Sequence, residues 1–275
     1  MSVYLPSELI GRCVICNATG VMTDEHVISK GIRKRMPLRS KVTETFAGKK
    51  SGPRDVLHLV LKKAVCETCN HGWMKELEDD MLATIGNLFA IPVSTTLDPS
   101  QQERIATWAI KTALLIEMHT SIRGEGSYVP VDNLRWLAEH HSPPPRARVW
   151  LAAIDSQSRR LAWSQSGALS LENREKVGCL CTFSIGNVGF QVFCMDITWP
   201  NNDRMRRTLA EIKPTPAVEA ATTNIWPGPQ RNVVWPPMQN KKRMVFSLDA
   251  LPEWAAWPSA YFPPPQHEPP QLSDA

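Results

Sequence analysis

An α+β fold is predicted for this chain of 275 residues, on three observations. Two Cys-x-x-Cys pairs, Cys13/Cys16 and Cys66/Cys69, frame the N-terminal part. A long amphipathic stretch, "SQQERIATWAIKTALLIEMH", follows the second pair. Beyond it come four β-rich segments separated by turn residues, which read as an antiparallel sheet packed by the preceding helices.

The elements follow in order. "EHVIS" and "VLHLVLKKAV" read as strands joined by a long loop, the second alternating before the second cysteine pair. "HGWMKELEDDMLATIGNLF" carries Met74, Leu77, Met81 and Ile85 at helical spacing, with Asn70 where an N-cap belongs. Trp73 and Met74 are expected to lock this helix against the hairpin. Helical spacing scatters Glu76, Glu78, Asp79 and Asp80 around the cylinder, and a solvated outer face is expected for them. After "AIPVSTTLDPS", Ile105, Trp108, Ala109, Thr112, Leu115 and Ile116 define a wide apolar face on the long helix. "VDNLRWLAEHH" is a shorter helix stopped by Pro143, Pro144 and Pro145. "ARVWLAAID", "RRLAWSQ", "VGCLCTFSI" and "VGFQVFCMDI" are the strands, and Gly186-Asn187 is a hairpin turn between the last two. Cys179, Cys181 and Cys194 read as buried thiols. Trp-Pro pairs mark a wrapping segment, and a last short helix opens at Ser247. The domains are therefore set at 1–90, 91–258 and a Pro-rich disordered tail, 259–275.

Composition narrows the class. A hydrophobic share of 43% and a charged share of 21% are ordinary for a soluble globular protein. No apolar run reaches the roughly 18 residues of a membrane span, and "MSVYLPSELIGR" lacks the regions of a signal peptide. A cytoplasmic chain with no membrane partner is expected, where paired cysteines hold metal more often than disulfides. The net charge of +4 is unevenly spread: eleven Lys or Arg lie from Lys30 through Lys63 against Glu44 and Asp55. That run points to a polyanionic partner.

Four thiolates from Cys13, Cys16, Cys66 and Cys69 complete the closed tetrahedron that structural Zn²⁺ prefers. Inside the gap between the pairs stands "TDEHVIS", with Glu25 and His26 adjacent, and Asn70 directly follows Cys69. Tying the pairs together makes Glu25, His26 and Asn70 neighbours. A carboxylate and an amide oxygen are the hard ligands that Mg²⁺ or Mn²⁺ accepts, with water and substrate phosphate filling other positions. A histidine beside them takes a proton from water near neutral pH. The combination suits phosphodiester hydrolysis on a nucleic acid.

"CVIC…DEHVIS…CETCN" resembles the HNH, or ββα-metal, endonucleases whose zinc knuckles bracket the catalytic hairpin. "CNHGWMKELE", "WAIKTAL", "FSIGNVGFQVF" and "IWPGPQRNVVWPP" are similar to a bacterial and phage group of such proteins, over nearly the whole chain. The resemblance implies a zinc-stapled, treble-clef-like ββα-metal nuclease domain followed by a helix-plus-antiparallel-sheet domain of unknown role. It also implies Glu25 and Asn70 as ligands of the catalytic cation and His26 as general base. DNA is the expected substrate, in phage biology or anti-phage defence, and the second domain is a candidate for a protein partner or ligand. Ser29 stands where the family usually has Pro, and no Asn lies between Val27 and Cys69 to match its middle Asn. His58, the only histidine of that interval, either orients the hairpin or packs on a strand face. A catalytically inactive, zinc-dependent nucleic-acid-binding module is the alternative.

Overall fold

In the computed structural model the described residues are 2–4, 10–35, 45–46, 49–50, 59–89, 93–121, 128–155, 162–170, 176–203, 205–206, 209, 216–239, 242–243 and 246–247. His58 and the tail at 259–275 lie outside them.

The N-terminal half is built on a three-stranded sheet. β1 (Ser2–Tyr4) runs parallel to β5 (Val60–Cys66), and β2 (Met22–His26) is antiparallel to β5 on the other side. The expected first strand, "EHVIS", is thus displaced toward the N-terminus, and Val27–Ile28 already bend away. Register slips inside the β2–β5 pair. Thr23 faces Val65, but Glu25 faces Leu61, so Asp24 alone stands opposite Lys62, Lys63 and Ala64. Lys63 takes a positive φ of 50° there, and the Asp24 carboxylate accepts from its N–H at 3.0 Å and from Lys62 Nζ at 2.6 Å. A bulge that leaves ladder groups unpaired is thereby satisfied by a side chain.

Between these strands lie α1 (Lys30–Arg35) and the short strands β3 (Thr45–Phe46) and β4 (Lys49–Lys50), which pair antiparallel. Ser29 Oγ accepts from Ile32 N at 3.2 Å at the start of α1. That capping bond gives the serine a local role at the start of the helix.

The helix after β5 is broken rather than continuous. α2 (Glu67–His71) is separated by Gly72 from α3 (Trp73–Ile85), which runs into a 3₁₀ turn at Gly86–Phe89. A Cβ at Gly72 would lie 2.4 Å from the Thr68 carbonyl oxygen, so only glycine lets the chain turn there. The N-cap of α2 is Cys66, whose Sγ accepts from Cys69 N, and the N-cap of α3 is Gly72. Asn70 caps neither; it lies within α2. Trp73 is half-buried against the main cluster and stacks on His141 with ring centroids 5.2 Å apart.

The second half begins with β6 (Thr95–Leu97) and the long α4 (Pro99–Ser121). Asp98 and Gln101 cap α4 reciprocally: Gln101 N donates to Asp98 Oδ1 at 2.8 Å and Asp98 N to Gln101 Oε1 at 2.9 Å. α5 (Val131–His140) stops at His141, in the left-handed conformation. β7 (Ala147–Asp155), β8 (Ala162–Ser170), β9 (Lys176–Ile185) and β10 (Val188–Met195) form the main sheet, and α6 (Pro216–Ala221) leads into β11 (Thr222–Trp226) at its edge. The strand order is β11-β7-β10-β9-β8. β12 (Val233–Trp235) returns to pair with β6; β13 (Met238–Gln239) and β14 (Lys242–Arg243) pair together. β15 (Phe246–Ser247) adds to β7 in parallel, so Ser247 ends a strand where a helix start was expected. The class is mixed helix and antiparallel sheet, as expected.

α4 lies across β9 and β10. Its Trp108 meets Phe183 and Phe190 at ring-centroid distances of 6.1 and 5.4 Å, and those two rings stack at 4.8 Å. Every residue of β10 is buried, because a second cluster of Trp150, Val177, Phe193, Met195 and Met205 covers the far face. The main cluster is continuous from Cys13 through α3 and α4 to Trp235. Among the described residues no helix is long and apolar enough to cross a membrane.

Candidate functional site

The cysteines meet as the spacing requires. Cys13, Cys16, Cys66 and Cys69 place their Sγ atoms within 4.8 Å of one another. Tetrahedral coordination with Zn–S near 2.3 Å sets an S–S edge of about 3.8 Å, and Cys16 Sγ lies 3.7 Å from Cys66 Sγ. The first pair is shaped as a tight knuckle: Cys13 N donates to Ala18 O at 2.9 Å, Asn17 N to Cys13 O at 2.8 Å, and Asn17 has φ 62°. Val14 N donates to Ala64 O at 2.9 Å, pinning the knuckle to β5. A hydrogen bond between the Cys13 and Cys69 thiols lowers Cys13 to about 4 and raises Cys69, while burial raises Cys16. One readily formed thiolate among crowded sulfurs suits a cluster able to hold a metal ion such as zinc.

The cluster sets α2 against β2. Asn70 Nδ2 donates to Thr23 Oγ1 at 2.8 Å and reaches Asp24 O at 3.4 Å; Thr23 Oγ1 in turn donates to Val65 O at 2.8 Å. Both Asn70 contacts use the amide nitrogen, so Oδ1 is left without a hydrogen bond among the described residues. Asn70 therefore stands against the two residues that immediately precede Glu25-His26. His71, by contrast, is exposed beside Glu67 at 3.7 Å.

Glu25 and His26 differ in surroundings. His26 is half-buried opposite Val60. Glu25 is only 5% exposed and faces the interior, where Lys111 Nζ of α4 lies 3.8 Å from its Oε1. Burial raises the Glu25 carboxyl above its ordinary range, and the Lys111 ammonium opposes that rise. Glu78 of α3 behaves alike, raised by burial and held down by Lys111.

Glu78 and Lys111 are the charged residues that sequence reasoning missed. Asp79 and Asp80 do meet solvent, paired with Lys75 and Arg104. Glu78 instead turns inward and is half-buried. A signal for Lys111 was present in the sequence. It sits three residues after Trp108 and four before Leu115, on the apolar stripe of α4, where a cation is out of pattern. A cavity of about 200 Å³ lined by Pro99, Gln102, Glu103, Ile225, Trp226 and Gly228 contains none of the expected site residues. Comparison of the chain with protein-family models, curated proteins and solved structures finds no match.

Proposed function

We propose that this chain is a divalent-metal-dependent endonuclease of the HNH type, hydrolysing phosphodiester bonds in DNA. The observation that carries the reading is the Asn70 amide bonded to Thr23 and Asp24 beside a four-cysteine cluster. Knuckle, hairpin and helix stand in the order that such a site needs. Cys13, Cys16, Cys66 and Cys69 would hold structural Zn²⁺, which joins elements far apart in sequence. Glu25 and the open Oδ1 of Asn70 offer hard oxygens to Mg²⁺ or Mn²⁺, which when bound polarises the phosphate and stabilises the leaving 3′ oxygen. His26 takes the proton of the attacking water at its imidazole nitrogen. Lys30, Lys34 and Lys63 are exposed around β2 and α1, ready to contact the phosphate backbone.

The second reading, a zinc-dependent nucleic-acid-binding module without catalysis, is favoured by one observation. Glu25 already has its charge countered inside the fold by Lys111. Supercoiled plasmid with Mg²⁺ or Mn²⁺, beside a His26→Ala variant, separates the two. The wild type is expected to nick the plasmid, and the variant to fall by about 10²–10⁴-fold while still retarding DNA. A wild type that retards DNA and nicks nothing across several metals and salts establishes the binding module instead.

A further inference from the structure

We propose that Lys111 and Glu78 are positioning residues of the candidate site, the buried Lys111 ammonium steering the Glu25 carboxylate from α4. This inference rests on the endonuclease reading and adds residues from α3 and α4 to it.

Three elements meet here. Glu25 comes from β2, Glu78 from α3 and Lys111 from α4. The side chains of Lys111 and Glu25 are only 3% and 7% exposed, with Nζ and Oε1 3.8 Å apart. Glu78 Oε1 lies 3.5 Å from where a Cβ on Gly31 would sit, and Ser29 Oγ is equally near that point. Glu78 therefore abuts the turn by which the chain leaves His26 for α1.

A purely structural role explains this arrangement poorly. Removing an ammonium and a carboxylate from water costs several kcal/mol per ion, and an apolar side chain at position 111 would extend the stripe of Trp108 and Leu115 without that cost. The 3.8 Å separation is also longer than the roughly 2.7–2.9 Å of a charge-assisted hydrogen bond. Lys111 thus directs Glu25 through space without locking it, and the carboxylate keeps freedom to turn toward a bound cation.

The test uses the full chain as Glu78→Gln, Lys111→Met and Lys111→Arg variants. Thermal melting, Mn²⁺ binding by loss of the free-ion EPR signal, plasmid retardation and nicking are measured on each. Glu78→Gln and Lys111→Met are expected to keep DNA retardation. They lose about 10–100-fold in kcat, with a matching weakening of Mn²⁺ binding, as found when groups orienting metal ligands are removed. Lys111→Arg keeps the positive charge and recovers most of the loss. Should Lys111→Met fail to fold, Glu78→Gln decides alone, being an isosteric change at a half-buried site. Folded Glu78→Gln and Lys111→Met proteins whose kcat and Mn²⁺ affinity stay within about two-fold of wild type overturn the inference while the endonuclease reading stands. A wild type that neither binds Mn²⁺ nor nicks DNA overturns both.

Discussion

Asn70 and Asp24 show how two side chains on neighbouring elements divide the work of the hairpin. Asn70 uses its nitrogen on Thr23 and Asp24 and keeps its oxygen open. Asn70→Asp retains that oxygen but cannot donate, so it should keep Mn²⁺ binding while losing about 1 kcal/mol of stability. Asn70→Ala should lose both. Equal Mn²⁺ affinity in wild type and Asn70→Ala, read by EPR titration, would remove Asn70 from the ligand set. Asp24 holds the β5 bulge, and its carboxyl is lowered by the Lys62 ammonium and then by the Lys63 N–H. A group lowered on folding stabilises the protein above its unfolded pKa, and the contribution fades as pH falls through the folded value. Asp24→Asn should therefore cost stability at pH 7 and little at pH 2. About a third of both partner side chains is exposed, so after solvent screening the difference is at most about 1 kcal/mol. Urea midpoints that fall equally at both pH values contradict this account.

At the scale of elements, the two kinds of metal site should part under chelation. On the endonuclease reading, millimolar EDTA should stop cleavage and leave the melting curve in place, because the proposed hard-ion site has few protein ligands. A chelator strong enough to strip thiolate-bound zinc should lower melting sharply, since such binding is itself folding free energy. Thiol titration provides the count. Four cysteines should become reactive after stripping, while Cys179, Cys181 and Cys194 stay silent until the chain unfolds. All three are raised by burial, Cys194 to about 12, and Cys194 lies directly opposite Cys179 on paired strands. Loss of zinc at the EDTA concentration that stops cleavage would show that the sites are not separate. Legibility followed locality in these elements. α4, α5 and the Gly186-Asn187 turn are visible because each is written in periodicity or turn chemistry over a short stretch, and the cysteine cluster because each of its two pairs carries the Cys-x-x-Cys spacing. The break at Gly72 is not, because it depends on an approach to the Thr68 carbonyl that periodicity does not encode. The inward turn of Glu78 is hidden for a related reason: helical spacing shows which side of α3 it occupies, but not that α1 and α4 cover that side.

Across the whole molecule, the hairpin tip of the main sheet is seated on the N-terminal half. Gly186 has φ 55° with Asn187 following at negative φ, as a two-residue type II′ turn requires. Asn187 N donates to Phe89 O at 3.0 Å and Ile154 N to Asn187 O at 2.8 Å, so the tip joins the 3₁₀ turn after α3 to β7. A Cβ at Gly186 would fall 2.0 Å from Phe89 O, a backbone atom fixed by that bond. Gly186→Ala thus meets both a left-handed φ, costing about 1 kcal/mol, and a clash that only separation of the halves relieves. The expected loss is about 2–4 kcal/mol. The buried cluster runs unbroken between the halves, so the loss should appear in one transition shared by both. Calorimetry of Gly186→Ala, with cysteine reactivity following the metal cluster and near-UV circular dichroism following the tryptophans around α4, tests this directly. Coincident midpoints displaced by the same amount are the expected result. If the thiol transition moves and the aromatic one does not, the halves melt independently and the contact at Phe89 is only an abutment. The Lys111–Glu25 pair crosses the same boundary, so a shared transition is also the condition under which α4 can hold the candidate site in register.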